Sequence, residues 1–150
     1  MKAFNFRLQR LLQLRETQEQ QARNNFLALA GKLEAANAQL AWVAREINST
    51  LSQLATTQAQ GVKASELGVM VHYLEGLQAL RRAQRTRVSE LSQRLAQARQ
   101  ELLEATAKRK ALESLRRRHY QRWQKAAAKA EQSFLDELAG MAHARRRMHP

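Results

Sequence analysis

The sequence contains no cysteine, and its single proline stands at position 150. The absence of cysteine excludes disulfide bonds and thiolate metal ligands, and it is compatible with a reducing compartment. Without an earlier proline, no residue removes a backbone donor from the interior of a long helix. Glycine is scarce, at five residues, and aromatic residues make up 5% of the chain. A globular core normally needs more bulky side chains, so these shortages favour long helices.

Long apolar runs are missing as well. No stretch of roughly 18 consecutive apolar residues occurs, so we predict no transmembrane helix. Charged and amide side chains interrupt residues 1–7 before an apolar run develops, and we therefore expect no signal peptide. We expect a cytoplasmic protein whose contact with a membrane, where one exists, is peripheral and on the cytoplasmic face of the inner membrane.

Motifs for catalysis, cofactors and metals are also absent. The glycines are too scattered to form a phosphate-binding loop. His143 and His149 are six residues apart, which is not the i, i+4 spacing of a helical metal site. Glu104 lies four residues before Lys108, which is typical of an ion pair on a helix surface. We expect a protein that is not an enzyme, with no metal-binding residue, no cofactor and no small-molecule substrate.

The chain does contain apolar residues at alternating steps of three and four. This spacing places them on one stripe of a helix, the contact seam of a coiled coil. The charged residues Arg15 and Glu19 weaken the stripe near its start. Near the middle, Arg81 and Gln84 make it polar, and Leu80 there fits an alternative spacing shifted along the helix. The stripe consists of Ala22, Phe26, Leu29, Leu33, Ala36, Leu40, Val43, Ile47, Thr50 and Leu54, then Leu67, Met70, Leu74 and Leu77, then Val88, Leu91, Leu95, Ala98, Leu102 and Ala105.

Between the two halves, a stretch around Gly61 loses this spacing. We predict a helix over about residues 6–54, a turn over about 55–65 with Ser65 as the helix cap, and a helix over about 66–143. A helix of about 50 residues is about 75 Å long, and a turn of about ten residues spans at most about 35 Å. Pairing within one chain must therefore be antiparallel. The alternative is one uninterrupted rod that dimerises, and Gly61 and the lost spacing argue against it. The predicted fold is all-α: a single coiled-coil domain, a long two-helix hairpin whose second helix extends beyond the first.

The excess length of the second helix predicts an exposed surface. We expect the residues from Arg116 onward to lack a partner helix along much of their length. This part of the chain nevertheless contains Tyr120, Trp123, Phe134 and Leu138. Large apolar side chains on an unpaired helix are typical of a face that binds another protein.

The formal charge is +13, from 26 basic and 13 acidic residues. Such a surplus favours an acidic partner, although charge also solvates the outer face of any coiled coil. The basic clusters, among them 116–118, lack a recognition fold and regularly interleaved aromatic residues, so we do not expect nucleic acid as the main partner. Tyr120 and Trp123 lie among these clusters and favour contact with a protein.

Two segments resemble the FliJ family of flagellar export proteins. They are the opening pattern Phe-x-Phe-Arg-Leu-x-x-Leu-Leu over 4–12 and the later stretch 109–115, followed by Arg118 and Tyr120. The resemblance implies a non-enzymatic antiparallel coiled coil that serves as a stalk or adaptor in the flagellar type III export apparatus. It implies three partners: the ring of the export ATPase, the membrane-embedded export gate protein and the chaperones of late export substrates.

The resemblance and the exposed residues together predict two contact sites. For Phe6, Leu11 and Leu77, packing inside the seam is the alternative interpretation. The predicted ATPase-binding residues are Phe4, Phe6, Leu11 and Arg15 on the first arm and Arg118, Tyr120, Arg122, Trp123, Phe134 and Leu138 on the second. The predicted gate-binding residues are Tyr73, Leu77, Leu80 and Gln84.

Three alternative functions remain open at this point. A basic coiled coil is compatible with a nucleic-acid-binding protein, whose affinity would fall steeply with salt. A spacer that assembles into filaments has the same helical pattern. A stalk protein of a virulence type III secretion system differs from the flagellar one mainly in its partners.

Overall fold

A computed structural model describes residues 2–149 as two helices, α1 (Gln9–Ala59) and α2 (Ala64–Met148), with no strand among them. The prediction of an all-α hairpin with a longer second helix is confirmed. The chain divides into two compact units, and each contains a segment of α1 and a segment of α2. We call residues 2–19 with 104–149 the terminal unit, and residues 20–103 the turn unit.

The turn is shorter than predicted. It covers residues 60–63, whereas the sequence predicted about 55–65, because the loss of apolar spacing does not by itself end a helix. Gly61 ends α1: its φ of +73° is the left-handed conformation that glycine adopts at little energetic cost. The amide of Gln60 donates to the carbonyl of Thr56 and that of Gly61 to the carbonyl of Gln58, both at 3.2 Å.

The start of α2 also differs from the prediction. Ser65 lies inside the first turn and is not the helix cap. The carbonyl of Lys63 accepts hydrogen bonds from the amides of Glu66 and Leu67, at 3.1 and 3.3 Å, so the helix begins one residue before Ser65. Glu66 lies in this first turn, where a negative charge is favourable beside the positive end of the helix dipole.

The outer ends of both helices shift by a few residues. α1 begins at Gln9 and not near residue 6, because residues 2–8 take a non-helical path; the amide of Gln9 donates to the carbonyl of Phe6 at 3.1 Å. α2 continues to Met148 and not only to about 143, since arginines occupy its last turn, where positive charge stabilises the free carbonyls.

The turn unit buries the predicted stripe. Val43, Ile47 and Leu77 form its core, with Leu74 and Leu80 packed against them, and Val43 is completely inaccessible to solvent. All stripe residues of this unit, from Ala22 to Leu54 and from Leu67 to Leu102, are buried or half-buried. The seam continues through Arg81 and Gln84, which are both half-buried.

The terminal unit pairs the remaining parts of the helices. Phe6 and Leu12 are buried, and the contacts of Gln9 with Arg116 and of Glu19 with Arg109 show that the helices run antiparallel. Within residues 2–149, α1 begins at Gln9 opposite Arg116, so α2 has no partner helix from there onward, as the sequence predicted. Residues 2–8, which we call the N-terminal strap, are largely non-helical and therefore reach further per residue than a helix.

Beyond the strap, α2 is uncovered. Every residue from 128 to 149 is exposed, and we call this segment the tail. Within residues 2–149, neither helix carries an apolar stretch long enough to cross a membrane.

Candidate partner-binding sites

An aromatic cluster joins the strap to α2 in the terminal unit. Tyr120 and Trp123 lie three residues apart on α2, and their rings are stacked with centroids 5.7 Å apart. Phe4 of the strap meets the ring of Tyr120 edge-on at 5.1 Å and the ring of Trp123 at 6.0 Å. Edge-to-face and offset contacts of this kind stabilise aromatic groups beyond the area they bury. Three predicted ATPase-binding residues are thus in direct contact.

Polar and cationic contacts hold the strap in place. The indole nitrogen of Trp123 donates to the backbone carbonyl of Lys2 at 3.1 Å. The guanidinium carbon of Arg116 lies 5.6 Å from the centre of the Phe4 ring, and its Nε donates to Gln9 at 3.2 Å. Contacts between aromatic rings, a hydrogen bond and a cation–π contact therefore bind the strap to α2.

Phe6 supports the cluster from within the seam. Its ring meets that of His119 edge-on at 5.7 Å, and only 5% of Phe6 is exposed. For Phe6, packing inside the chain is thus the observed arrangement, so this side chain positions the strap while Phe4 lies at its surface. A groove beside the cluster is lined by the aromatic residues Phe4 and Trp123 and by the basic residues Lys2 and Arg122, among others. A groove lined by aromatic and basic residues suits an apolar side chain that has an acidic neighbour.

A buried ion pair fixes the two helices of this unit. Glu19 is 6% exposed, and its carboxylate accepts a hydrogen bond from Nε of Arg109 at 2.5 Å. Nη1 of Arg109 donates to Glu113 at 2.6 Å. The hydrogen bond with Glu19 is the largest cause, and that with Glu113 the next, of a pKa for Arg109 above its ordinary value. Arg109 therefore stays charged, and Glu19, which appeared to weaken the stripe, is compensated.

The other predicted ATPase-binding residues lie outside the cluster. Leu11 and Arg15 are half-buried on α1, where Nη1 of Arg15 donates to Gln18 at 3.0 Å. Arg118 is exposed on α2. Phe134 and Leu138 lie on the tail, where 59% and 46% of their surfaces are exposed.

The predicted gate residues lie in the turn unit, and three of them share a groove. Tyr73, Leu77 and Leu80 line it together with Trp42 of α1. Gly76 also lines the groove, and a Cβ atom there would meet no other atom within 4 Å, so the missing side chain leaves the groove open. Tyr73 and Trp42 are 49% and 42% exposed. We call this surface the aromatic groove.

Leu77 and Gln84 differ in position. Leu77 is 5% exposed and packs with Val43 and Ile47, so it forms the floor of the aromatic groove and not its rim. Gln84 is half-buried and lines a separate polar groove with Lys32 and other residues.

A hydrogen bond orients Tyr73. Its hydroxyl donates to the carboxylate of Glu46 on α1 at 3.2 Å. The pKa of Tyr73 is raised above 10.0, first by loss of hydration and then by the hydrogen bond with Glu46 and the charge of Glu46. Tyr73 thus remains a neutral donor across the physiological pH range, with its ring held against the neighbouring helix.

Sequence reasoning missed Trp42, Arg116 and His119 as site residues. Trp42 lies next to the stripe position Val43 and so borders the seam without belonging to the stripe, and a large exposed aromatic residue was the available signal. In the sequence, Arg116 is recognisable only as a member of the basic cluster 116–118, and His119 only as its neighbour. Their aromatic partners on the strap come from a distant part of the sequence.

The fold and these surfaces define a class: a coiled-coil hairpin protein with aromatic and basic interaction surfaces outside its seam. The family model described as Flagellar FliJ protein matches residues 4–148, nearly the whole chain, and the chain belongs to the FliJ family. This family comprises non-enzymatic proteins associated with flagellar protein export. No match to the chain was found among curated proteins or among solved structures.

Proposed function

We propose that this protein is a stalk or adaptor of the flagellar type III export apparatus, which binds the export ATPase ring with its terminal unit. The observation that carries the proposal is the cluster of Phe4, Tyr120 and Trp123 beside exposed arginines, in a chain of the FliJ family. The export gate protein and the chaperones of late substrates complete the set of proposed partners, at the cytoplasmic face of the membrane.

The composition of the terminal unit supports a protein partner. Tyr, Trp and Arg are the residue types that contribute most binding energy at protein interfaces. Arg118 and Arg122 are exposed near Tyr120 and Trp123 in sequence, which provides positive charge beside aromatic surface. The strap is already bound to α2, so binding would not have to order it.

The tail supplies the apolar part of the proposed ATPase contact. Phe134, Leu138 and Met141 are separated by four and three residues, so they lie on one face of α2, and each is at least 46% exposed. A helix with such a face commonly binds a groove formed by other helices.

The ATPase contact is tested by adding the chain to the purified flagellar export ATPase and measuring turnover. We expect turnover to rise with the concentration of the chain. Phe134→Asp should abolish the rise, because a carboxylate would have to lose its hydration in the contact. The matched control is Leu103→Asp, since Leu103 is 56% exposed on the same helix, close to the 59% of Phe134. Absence of stimulation, or equal loss in both variants, would contradict the proposal.

We further propose that the aromatic groove of the turn unit binds the export gate protein. Trp42 and Tyr73 provide two half-exposed rings over an apolar floor, a combination that suits an inserted apolar side chain. Leu80 borders the groove and Leu77 forms its floor, while Gln84 lies outside it, in the separate polar groove.

The gate contact is tested by measuring the affinity of the chain for the purified cytoplasmic domain of the gate protein. Tyr73→Ala should weaken binding roughly tenfold or more, as expected for an aromatic residue at the centre of an interface. Tyr120→Ala is the matched control, because the chain contains only two tyrosines and this one lies in the terminal unit. Equal affinities of the two variants would contradict the assignment of the groove.

A further inference from the structure

The coiled-coil seam of α2 continues beyond the part of the chain that covers it. Trp123 contacts the strap, since its ring meets that of Phe4 and its indole nitrogen donates to the carbonyl of Lys2. Phe134, Leu138 and Met141 follow on the same face at coiled-coil spacing, yet they are exposed by 59%, 46% and 59%. Leu135, which is 51% exposed, lies beside them. The tail therefore carries an apolar stripe whose geometry suits one further helix.

We propose that this further helix is the tail of a second copy of the chain, paired antiparallel about a two-fold axis near Leu138. In this register Phe134 of each copy lies against Met141 of the other, and the two Leu138 side chains meet at the axis. An antiparallel pair related by a two-fold axis uses the same face twice, so a single stripe must be complementary to itself. The apolar stripe of the tail meets this requirement.

The charges beside the stripe agree with this register. Glu131 and Arg146 lie on the same side of the stripe, since fifteen residues correspond to slightly more than four helical turns. A two-fold axis brings the same side of each stripe together. Glu131 of each copy therefore lies near Arg146 of the other, which gives two attractive pairs. The basic cluster 116–118 lies outside the overlap, where its repulsion does not oppose pairing. Glu137 lies near the axis on the other side, so its two copies repel each other and keep the association weak.

The same charges disfavour a lipid surface as the occupant. Arg145 lies within the apolar stripe, and Glu131 and Glu137 border it. A helix that binds an anionic membrane has a broad apolar face with basic borders, because acidic borders are repelled by the lipid headgroups. An apolar face with acidic and basic borders fits a helix of matching charge.

This inference needs only the exposed tail and holds whether or not the chain binds the ATPase. If both contacts exist, they compete, because both use Phe134 and Leu138. The dimer would then cover the tail until the ATPase displaces the second copy.

Sedimentation equilibrium of the full chain tests the pairing directly. From about 5 to about 500 µM we expect the mass to rise from 17.2 kDa toward twice that value. Leu138→Glu should keep the chain monomeric, because two carboxylates would meet at the axis. Leu103→Glu, at an exposed position of the turn unit, should leave association unchanged. Circular dichroism of each variant checks that the helices are intact.

Charge exchange tests the register. Glu131→Arg and Arg146→Glu should each weaken self-association about tenfold, because each replaces two attractive pairs by two repulsive ones. The double variant, or an equal mixture of the two single variants, should restore it, since opposite charges then face each other again.

Three results would overturn the proposal. They are a mass of 17.2 kDa at every concentration, growth beyond the dimer into filaments, and a mixture of single variants that associates no better than each alone. Vesicles of phosphatidylglycerol and phosphatidylcholine test the lipid alternative. Binding to them that depends on Leu138, in a chain that stays monomeric, would assign the tail to a membrane surface instead.

Discussion

The turn unit and the terminal unit use the same three- and four-residue spacing with opposite results. In the turn unit, Val43, Ile47 and Leu77 are almost fully buried because the other helix lies opposite them. In the tail of the terminal unit, Phe134 and Leu138 occupy equivalent positions and are about half-exposed. Spacing alone therefore defines a face of the helix. Whether that face is core or binding surface depends on the length of its partner.

The two units also treat polar residues in the seam differently. In the terminal unit, Glu19 is compensated by the guanidinium of Arg109. In the turn unit, Nε of Arg81 is buried, and it has no hydrogen-bond partner within residues 2–149. A compensated charge stabilises a register, whereas a buried donor without a partner lowers stability.

The largest expected effect separates core from tail. Leu77→Ala should lower the free energy of unfolding by about 2–4 kcal/mol, because it leaves a cavity in the core of the turn unit. Leu138→Ala should change it by less than about 0.5 kcal/mol, since Leu138 is exposed. Urea unfolding at low micromolar concentration measures both. Similar losses in the two variants would remove the distinction between the units.

The next effect concerns the buried ion pair of the terminal unit. Arg109→Leu should lower the urea midpoint clearly, because it takes the guanidinium away from the buried carboxylate of Glu19. Adding Glu19→Leu to this variant should restore most of the midpoint, since two apolar residues then pack in the seam. If the double variant is less stable than Arg109→Leu alone, Glu19 stabilises the unit through contacts other than this pair.

A smaller, stabilising effect is expected at Arg81 in the turn unit. Arg81→Leu should raise the free energy of unfolding by about 0.5–1.5 kcal/mol, because an apolar side chain replaces a buried donor at a seam position. The exposed neighbour Arg82 provides the control, and Arg82→Leu should have almost no effect on unfolding. A loss of stability in Arg81→Leu would show that the arginine supports the seam.

The smallest effect is a change of stability with pH at Tyr73. Its pKa is higher in the folded chain than in the unfolded chain, so its contribution is complete below pH 10.0 and is lost as the pH rises through the folded pKa. Absorbance of tyrosinate in a Tyr120→Phe background follows this single residue. Glu46→Gln should move the titration downward, because it removes the negative charge beside the hydroxyl. An unchanged titration would leave loss of hydration as the cause.

The sequence predicts the seam well and the strap poorly, for a physical reason. Val43, Leu91 and Ala98 are recognisable as buried because a helix repeats over a few residues, and neighbours alone determine which face is apolar. The contacts of Phe4 with Tyr120 and Trp123 join distant parts of the sequence, and no local pattern encodes them. The start of α1 was placed too early for the same reason. The groove around Trp42 was missed because that residue lies outside the stripe.

The two tryptophans of the chain allow the most direct test of the proposed division of labour. Trp123 lies in the terminal unit and Trp42 in the turn unit, and the chain has no other tryptophan. We expect Trp123→Ala to reduce stimulation of the export ATPase while affinity for the gate protein is retained, and Trp42→Ala to do the reverse. Both activities should therefore be measured for both variants. Loss of the same activity in both variants, or of neither, would contradict the assignment of one partner to each unit.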